Sequence, residues 1–250
     1  MNKKNLLLIL LMLAVLVSPV LAYQFSPLEQ VFQPTGAESQ KNYTIVNDSD
    51  DQIAIELAVY IRDQDADGNE VRKKTTSEFR ILPTDKIIMQ PQSTQIITVK
   101  YMGSQTVTFE KSYRLVASQL TYSQGKNQTS QSMFNFLYVY ATSLYVVPSA
   151  ESNGTVQIST IKAVKDEEGK QLMSITFQNR KNVHQILREL VLTVKDSKGN
   201  VIELSGAEQL PGVDSMNILA RKTLTKTIPW PEGLAFSETG TYSGTIEYTN

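Results

Sequence analysis

Three carboxylates and one imidazole are the places in this sequence where chemistry could sit. Asp63-x-Asp65-x-Asp67-Gly68 opens like a calcium loop, in which alternate side-chain oxygens converge on the cation. That pattern needs a Glu six residues after the Gly to close the site with two oxygens, and Lys74 stands there. The stretch therefore reads as an acidic hairpin with Gly at its turn, and no metal is expected. His184 is the only histidine, so any Ser–His–acid triad has to use it. It follows Lys181-Asn182-Val183 in what reads as a loop, no nucleophile elbow occurs in the chain, and a structural or solvent-facing role fits it. Arg72-Lys73-Lys74, the one basic cluster, runs into Thr75-Thr76-Ser77 and reads as a solvated hairpin arm. With no cysteine in 250 residues, thiolate nucleophiles, Cys-ligated zinc, iron–sulfur clusters and disulfides are excluded. The 24 Lys and Arg against 25 Asp and Glu leave a net charge of −1, with no basic surplus for a phosphate backbone. That argues against nucleic acid as a partner. The inventory predicts a protein that is not an enzyme and holds no cofactor.

One segment stands apart. From Gln131 to Val147 the chain reads QSMFNFLYVYATSLYVV, with Phe134, Phe136, Tyr138 and Tyr140 on one side and Met133, Leu137, Val139 and Ala141 on the other. A strand with one wet face alternates apolar with polar residues. This one is apolar on both faces and carries no charge between residues 131 and 150. Two readings are open: a central strand buried on both sides, or an exposed apolar row waiting for a partner strand.

The elements that position these residues are strands. Ile53, Ile55, Leu57, Val59 and Ile61 place apolar side chains at every second position, which in a strand is one buried face. Ile97-Val99-Tyr101, Tyr113-Leu115-Ala117 and Leu190-Leu192-Val194 repeat that period, and no helical stripe persists for three turns after residue 22. Turns are signalled at Asp67-Gly68-Asn69, Gly125-Lys126-Asn127, Lys198-Gly199-Asn200 and Glu238-Thr239-Gly240. Short strands punctuated in this way predict an all-β sandwich or barrel. An internal echo favours two sandwiches: a strand ending in Asn47 lies 21 residues before Gly68, and one ending in Asn179 lies 20 before Gly199. Pro148–Gly154, small and polar, is the natural linker, giving domains at 23–147 and 148–250. Ahead of them, Lys3 and Lys4, the apolar run Leu6–Val17 and the small-residue end Val20-Leu21-Ala22 read as a signal peptide (residues 1–22) cleaved after Ala22. The apolar run falls short of the roughly 20 residues that span a bilayer, so an exported protein is expected.

Along most of residues 25 to 250 the sequence resembles the periplasmic pilus chaperones of the PapD-like superfamily. The resemblance rests on Phe79-Arg80-Ile81-Leu82-Pro83, Ile87-Ile88-Met89-Gln90-Pro91 with Gln95 and Val99, and Glu110-x-x-Tyr113-Arg114-Leu115. It continues through the two-faced apolar strand ending at Pro148, then Asn179 with His184, Pro229-Trp230-Pro231 and Gly244-x-Ile246-x-Tyr248. It implies two immunoglobulin-like β-sandwich domains in tandem, set at an angle with a cleft between them, in the periplasm. It also implies donor-strand complementation: the chaperone lends an apolar edge strand to a pilus or fimbrial subunit whose own sandwich lacks one. By that match the donating row is Phe134, Phe136 and Tyr138, with Tyr140 joining it. Fimbrial-type subunits become the expected partners, an outer-membrane usher a further candidate, and a self-capping dimer a candidate form of the free protein.

The sequence departs from the family where the subunit's terminal carboxylate is anchored. The matching positions are Glu29 and Ser143, neither of them basic. A cation must then come from a neighbouring strand, because an unpaired buried carboxylate is costly. Arg114 turns away from its core-facing neighbours Tyr113 and Leu115 and is the first candidate, and Lys100, of the same outward parity, is the second. The plain alternative for Arg114 is a surface pair with Glu110. For the whole chain, the alternative function is a two-domain structural or adhesive surface protein.

Overall fold

The computed structural model describes residues 23–74, 77–121 and 137–250. The expected signal peptide, the Gly125 turn, Phe134 and Phe136 lie outside the described residues. Among those described, the regular structure is strand, apart from single helical turns at Ala37–Ser39 and Gly206–Gln209. It forms a two-domain β-sandwich, each sandwich with its own apolar cluster.

The first sandwich comprises β1 (Gln24–Ser26), β2 (Glu29–Phe32), β3 (Gln40–Asn47), β4 (Ile53–Gln64), β5 (Glu70–Lys74), β6 (Phe79–Leu82), β7 (Lys86–Met89), β8 (Ser93–Tyr101), β9 (Lys111–Leu120) and β10 (Val139–Val146). One sheet runs β1-β3-β8-β6 and the other β2-β10-β9-β4-β5, with β7 also paired to β4. The alternating residues fill the space between the sheets: Tyr43, Ile45, Ile55, Leu57, Ile97, Val99, Tyr113, Leu115 and Leu144 are all buried. Ile61 departs from the expected pattern and is 37% exposed. There β4 runs on beyond the core, and Ile61 lines a cleft with Phe109 and Leu219 instead.

The second sandwich comprises β11 (Val156–Lys165), β12 (Gln171–Asn179), β13 (Gln185–Ile186), β14 (Arg188–Asp196), β15 (Val201–Ser205), β16 (Asn217–Ile218), β17 (Thr223–Pro229) and β18 (Tyr242–Thr249). Its strands run β15-β14-β18-β11-β12-β17, but β18 and β11 meet only at Tyr242 and Ile161. The seam passes Gly244, where an added Cβ would come within 2.6 Å of the Ile161 side chain. Only glycine lets the two halves approach so closely.

The sequence echo has a physical basis. Asn47 and Asn179 are both buried at strand ends, and each amide bonds the loops beside it. Asn47 Nδ2 donates to the carbonyls of Asp51 and Gln90 while its Oδ1 accepts from the Ser49 N–H. Asn179 Nδ2 donates to the carbonyls of Val183, Ile218 and Leu219, and its Oδ1 accepts from the Lys181 N–H. The hairpins recur likewise. Asp65 accepts from the Asp67 and Asn69 amides, Asp166 from Glu168 and Lys170, and Asp196 from Lys198 and Asn200. Each Asp is followed three residues later by a Gly in the left-handed region, with φ of 77°, 79° and 89°. The calcium-like spelling at Asp63–Gly68 is one instance of this turn.

Candidate functional site

The outer face of the β2-β10-β9-β4-β5 sheet carries most of the polar groups singled out above. Register lines them up in rows: Glu29 beside Ser143, Ser143 beside Arg114, Arg114 beside Tyr60, Tyr60 beside Lys74. One step along, Val31 pairs with Tyr145 and Tyr145 with Ser112, and further out Arg62 pairs with Arg72. Arg114 thus lies next to Ser143, and its Nη1 donates to Ser143 Oγ at 2.5 Å. Its main partner is Glu70: Arg114 Nε donates to both Glu70 oxygens at 3.2 and 3.1 Å, and Nη2 to Oε2 at 2.7 Å. Arg62 Nε lies 2.8 Å from the same carboxylate, and Arg72 pairs with it as well. Burial opposes charge on Glu70, but hydrogen bonds from Arg114 and Arg72, with the fields of Arg114 and Arg62, outweigh it and bring its carboxyl down to about 2.

This cluster continues to the second sandwich. Arg62 Nη1 donates to the Tyr145 hydroxyl at 2.9 Å, which also accepts from Asn217 Nδ2 at 3.0 Å. The Tyr145 ring stacks on His184 with centroids 4.0 Å apart. His184 Nδ1 lies 2.7 Å from Oε2 of Glu110, whose side chain is fully buried. Gln64 clamps the far side, with Nε2 donating to the Asn217 carbonyl at 2.7 Å and Oε1 accepting from the Leu219 N–H at 2.9 Å. Asp63 meets Lys222 at 2.5 Å, and the hairpin tip accepts from the Thr225 N–H at Ala66 O, 2.7 Å away. Between the sandwiches is a cleft of about 270 Å³, bordered by Arg62, Glu110, Tyr113 and Lys222.

The expected site residues divide. Arg114 lies on the sheet's outer face, paired with Glu70 and not with Glu110, because Glu110 is turned towards His184. Lys100 is elsewhere: β8 belongs to the opposite sheet, and with Val99 and Tyr101 pointing inward it lies on the far outer face, away from Arg114. Tyr138 and Tyr140 are not free. Both pack on the first core, and the Tyr140 hydroxyl donates to the Tyr23 carbonyl at 2.5 Å while its ring sits edge-on to Tyr23. The cause is parity, since Thr142, Leu144 and Val146 are buried and the even-numbered row continues back along that face. The exposed apolar side chains here are Leu137, 48% exposed, and Val139, 61% exposed.

The edge of β10 is only half covered. β2 pairs with it from Ser143 to Val146, and among the described residues no strand pairs with its outer edge from Val139 to Thr142. The Ser143 N–H donates outward to the Leu28 carbonyl. By the alternation of an antiparallel ladder, the main-chain groups of Val139 and Ala141 face the same open side.

No family model matches the sequence, and no curated protein matches it. Solved structures do. The CsuC–CsuE chaperone–tip adhesion subunit pre-assembly complex from the archaic chaperone-usher Csu pili of Acinetobacter baumannii is similar at a TM-score of 0.57 and 13% identity, over 85% of this chain and 90% of that one. The fold is that of the fimbrial chaperones. The class 5 fimbriae chaperone CfaA matches at 0.52 and 12% identity, over 92% of this chain and 99% of that chain. A chaperone–tip adhesin complex of CFA/I fimbriae biogenesis matches at 0.52 and 12% identity, over 91% and 98%.

Sequence reasoning missed Glu70, Arg62, Tyr145 and Gln64. The parity argument that singled out Arg114 applies equally to Arg62, which alternates with Ile61 on β4. Glu70 gave no such signal, because its main partner, Arg114, lies 44 residues away and across the sheet.

Proposed function

We propose that this protein is an exported, periplasmic, non-enzymatic assembly chaperone that binds fimbrial-type subunits by donor-strand complementation, a form of β-augmentation. The observation that carries this reading is the open half-edge of β10 beside the arginine cluster around Glu70. A subunit strand laid along Val139–Thr142 would bond to outward main-chain groups, and an incomplete sandwich supplies a groove for the apolar row. Tyr138 and Tyr140 root that row in the chaperone's own core, and by sequence parity Phe134 and Phe136 extend it beyond. Arg114, held against Ser143, is positioned to take the subunit's terminal carboxylate where the family's basic residues are replaced by Glu29 and Ser143. Its planar fork can grip a carboxylate with two bonds.

The test is to purify the protein from a periplasmic extract and identify what accompanies it. A stoichiometric, small β-rich subunit that is lost when Phe136 is replaced by Asp supports the chaperone. A lone two-domain protein found on the cell surface would mean a structural or adhesive role.

A further inference from the structure

The β4–β5 hairpin carries a carboxylate into a nest of three arginines, and the charges there do not balance. Arg62, Arg72 and Arg114 surround Glu70 alone, so three positive charges face one negative charge. The Arg62 side chain is only 8% exposed, and although its Nε lies 2.8 Å from Glu70 Oε2, that N–H is aimed at no acceptor and makes no hydrogen bond. A buried guanidinium N–H without an aligned acceptor is unusual.

We propose that Arg62, Arg72 and Arg114 form a carboxylate-binding site whose resident ligand is the chain's own Glu70, a tethered competitor that an incoming carboxylate displaces from Arg114. Glu70 is suited to leaving. It begins β5, an edge strand whose following residues Val71–Lys74 are exposed and which, among the described residues, pairs only with β4. Exchanging one carboxylate for another restores the bidentate contact, so displacement leaves no guanidinium unpaired. A tethered ligand also acts at a high effective concentration, on the order of millimolar or above, which screens the arginines from weak free anions. Only a carboxylate delivered on a larger docked surface then competes. That this carboxylate is a subunit's C-terminus rests on the chaperone reading; the site and its plug do not.

The experiment uses acetate and the full mature chain. Arginine Nε–H resonances of Arg62 and Arg114 are followed by NMR as acetate replaces chloride at constant ionic strength, in wild type, Glu70→Gln and Glu70→Asp. In Glu70→Gln, acetate should shift both signals saturably, at concentrations at least about tenfold lower than in wild type, a 1.4 kcal/mol gain. Glu70→Asp, which keeps the plug, should respond as wild type does. No response in Glu70→Gln, or one equal to wild type, overturns the proposal. Should Glu70→Gln fail to fold, the Glu70 carboxyl carbon is read in wild type at neutral pH: it must move saturably with acetate and not with chloride, and a stationary signal overturns the proposal too. Acetate requires no subunit, so failure here leaves the chaperone assignment intact, and failed subunit capture leaves the acetate result intact.

Discussion

Arg114 in the middle of its sheet holds both carboxylate oxygens of Glu70 at the sheet's edge, across an intervening strand and 44 residues of sequence. The contact fixes the hairpin arm that reaches the second sandwich, and its strength depends on pH. In the folded state the Glu70 carboxyl is lowered from 4.5 to about 2. A lowered carboxyl stabilises the fold fully above its unfolded value, and that stabilisation is lost as pH falls through the folded value. Arg114→Gln should therefore cost about 1 kcal/mol at neutral pH, a figure reduced for the partial exposure of Glu70. The gap between variant and wild type should shrink from pH 4.5 down to about 2. Urea unfolding across that range measures it, and a gap independent of pH would show that Glu70 does not depend on Arg114.

The two ends of the aromatic row should behave differently on substitution. Tyr140→Ala removes a ring packed on Tyr23 and Phe25 together with a hydrogen bond to the backbone, and should destabilise the first sandwich by about 2–3 kcal/mol. Phe136→Asp should leave stability within about 0.5 kcal/mol and abolish subunit binding. Thermal unfolding paired with subunit capture separates the two. Loss of stability in both variants would place Phe136 in the first sandwich's own core.

Asn179 should be among the most sensitive positions. Replacing it by Ala takes the amide donor from the Val183, Ile218 and Leu219 carbonyls, of which Leu219 keeps the Lys222 N–H, and the acceptor from the Lys181 N–H at a buried strand end. At about 1–3 kcal/mol for each group that water cannot reach, a loss of about 3 kcal/mol or more is expected. Asn47→Ala should cost less, because the Asp51 and Gln90 carbonyls keep the Ser49 and Ser93 hydroxyls as donors. Equal and small losses would mean that water replaces both amides.

The echo around these two asparagines shows what sequence can carry. Alternation in Tyr113–Ala117 and Leu190–Val194 names the inward faces directly, because a strand has a fixed period of two and only one face meets the core. The same rule places Arg114 outward and beside Ser143, a local fact about neighbouring strands. It failed for Lys100, whose parity is correct but whose sheet is set by which strands pair. It failed again for Tyr138 and Tyr140, because a row apolar on both sides does not say which side its own core occupies. Glu70 was out of reach for a third reason: a charge's partner is decided by long-range register, and Arg62, Arg72 and Arg114 converge only once β4, β5 and β9 are side by side.

The last prediction concerns how the two sandwiches are joined. Their apolar clusters share no residue, and the junction is bridged by polar contacts from the β4–β5 arm, the Glu110–His184 pair, the Glu110 N–H on the Asn182 carbonyl, and Tyr145 on Asn217 and His184. Gln64→Ala deprives the Asn217 carbonyl and the Leu219 N–H of a partner, at about 1–2 kcal/mol. His184→Ala is more severe, because it leaves the fully buried Glu110 side chain without its imidazole and removes the ring stacked on Tyr145. Glu110 Oε2 then loses its hydrogen bond, at about 1–3 kcal/mol, while Oε1 keeps the Ser112 hydroxyl and the main-chain N–H of residue 184. Wild type should unfold in one calorimetric transition, since each sandwich holds the other through these contacts. The double variant should resolve into two, with the sandwich bearing Glu110 melting first. Residual dipolar couplings should show the two bodies reorienting independently before either melts. A single transition at an unchanged temperature would mean that the contacts across the cleft follow from the backbone connection at Pro148–Gly154, and that the arm does not hold the cleft in shape.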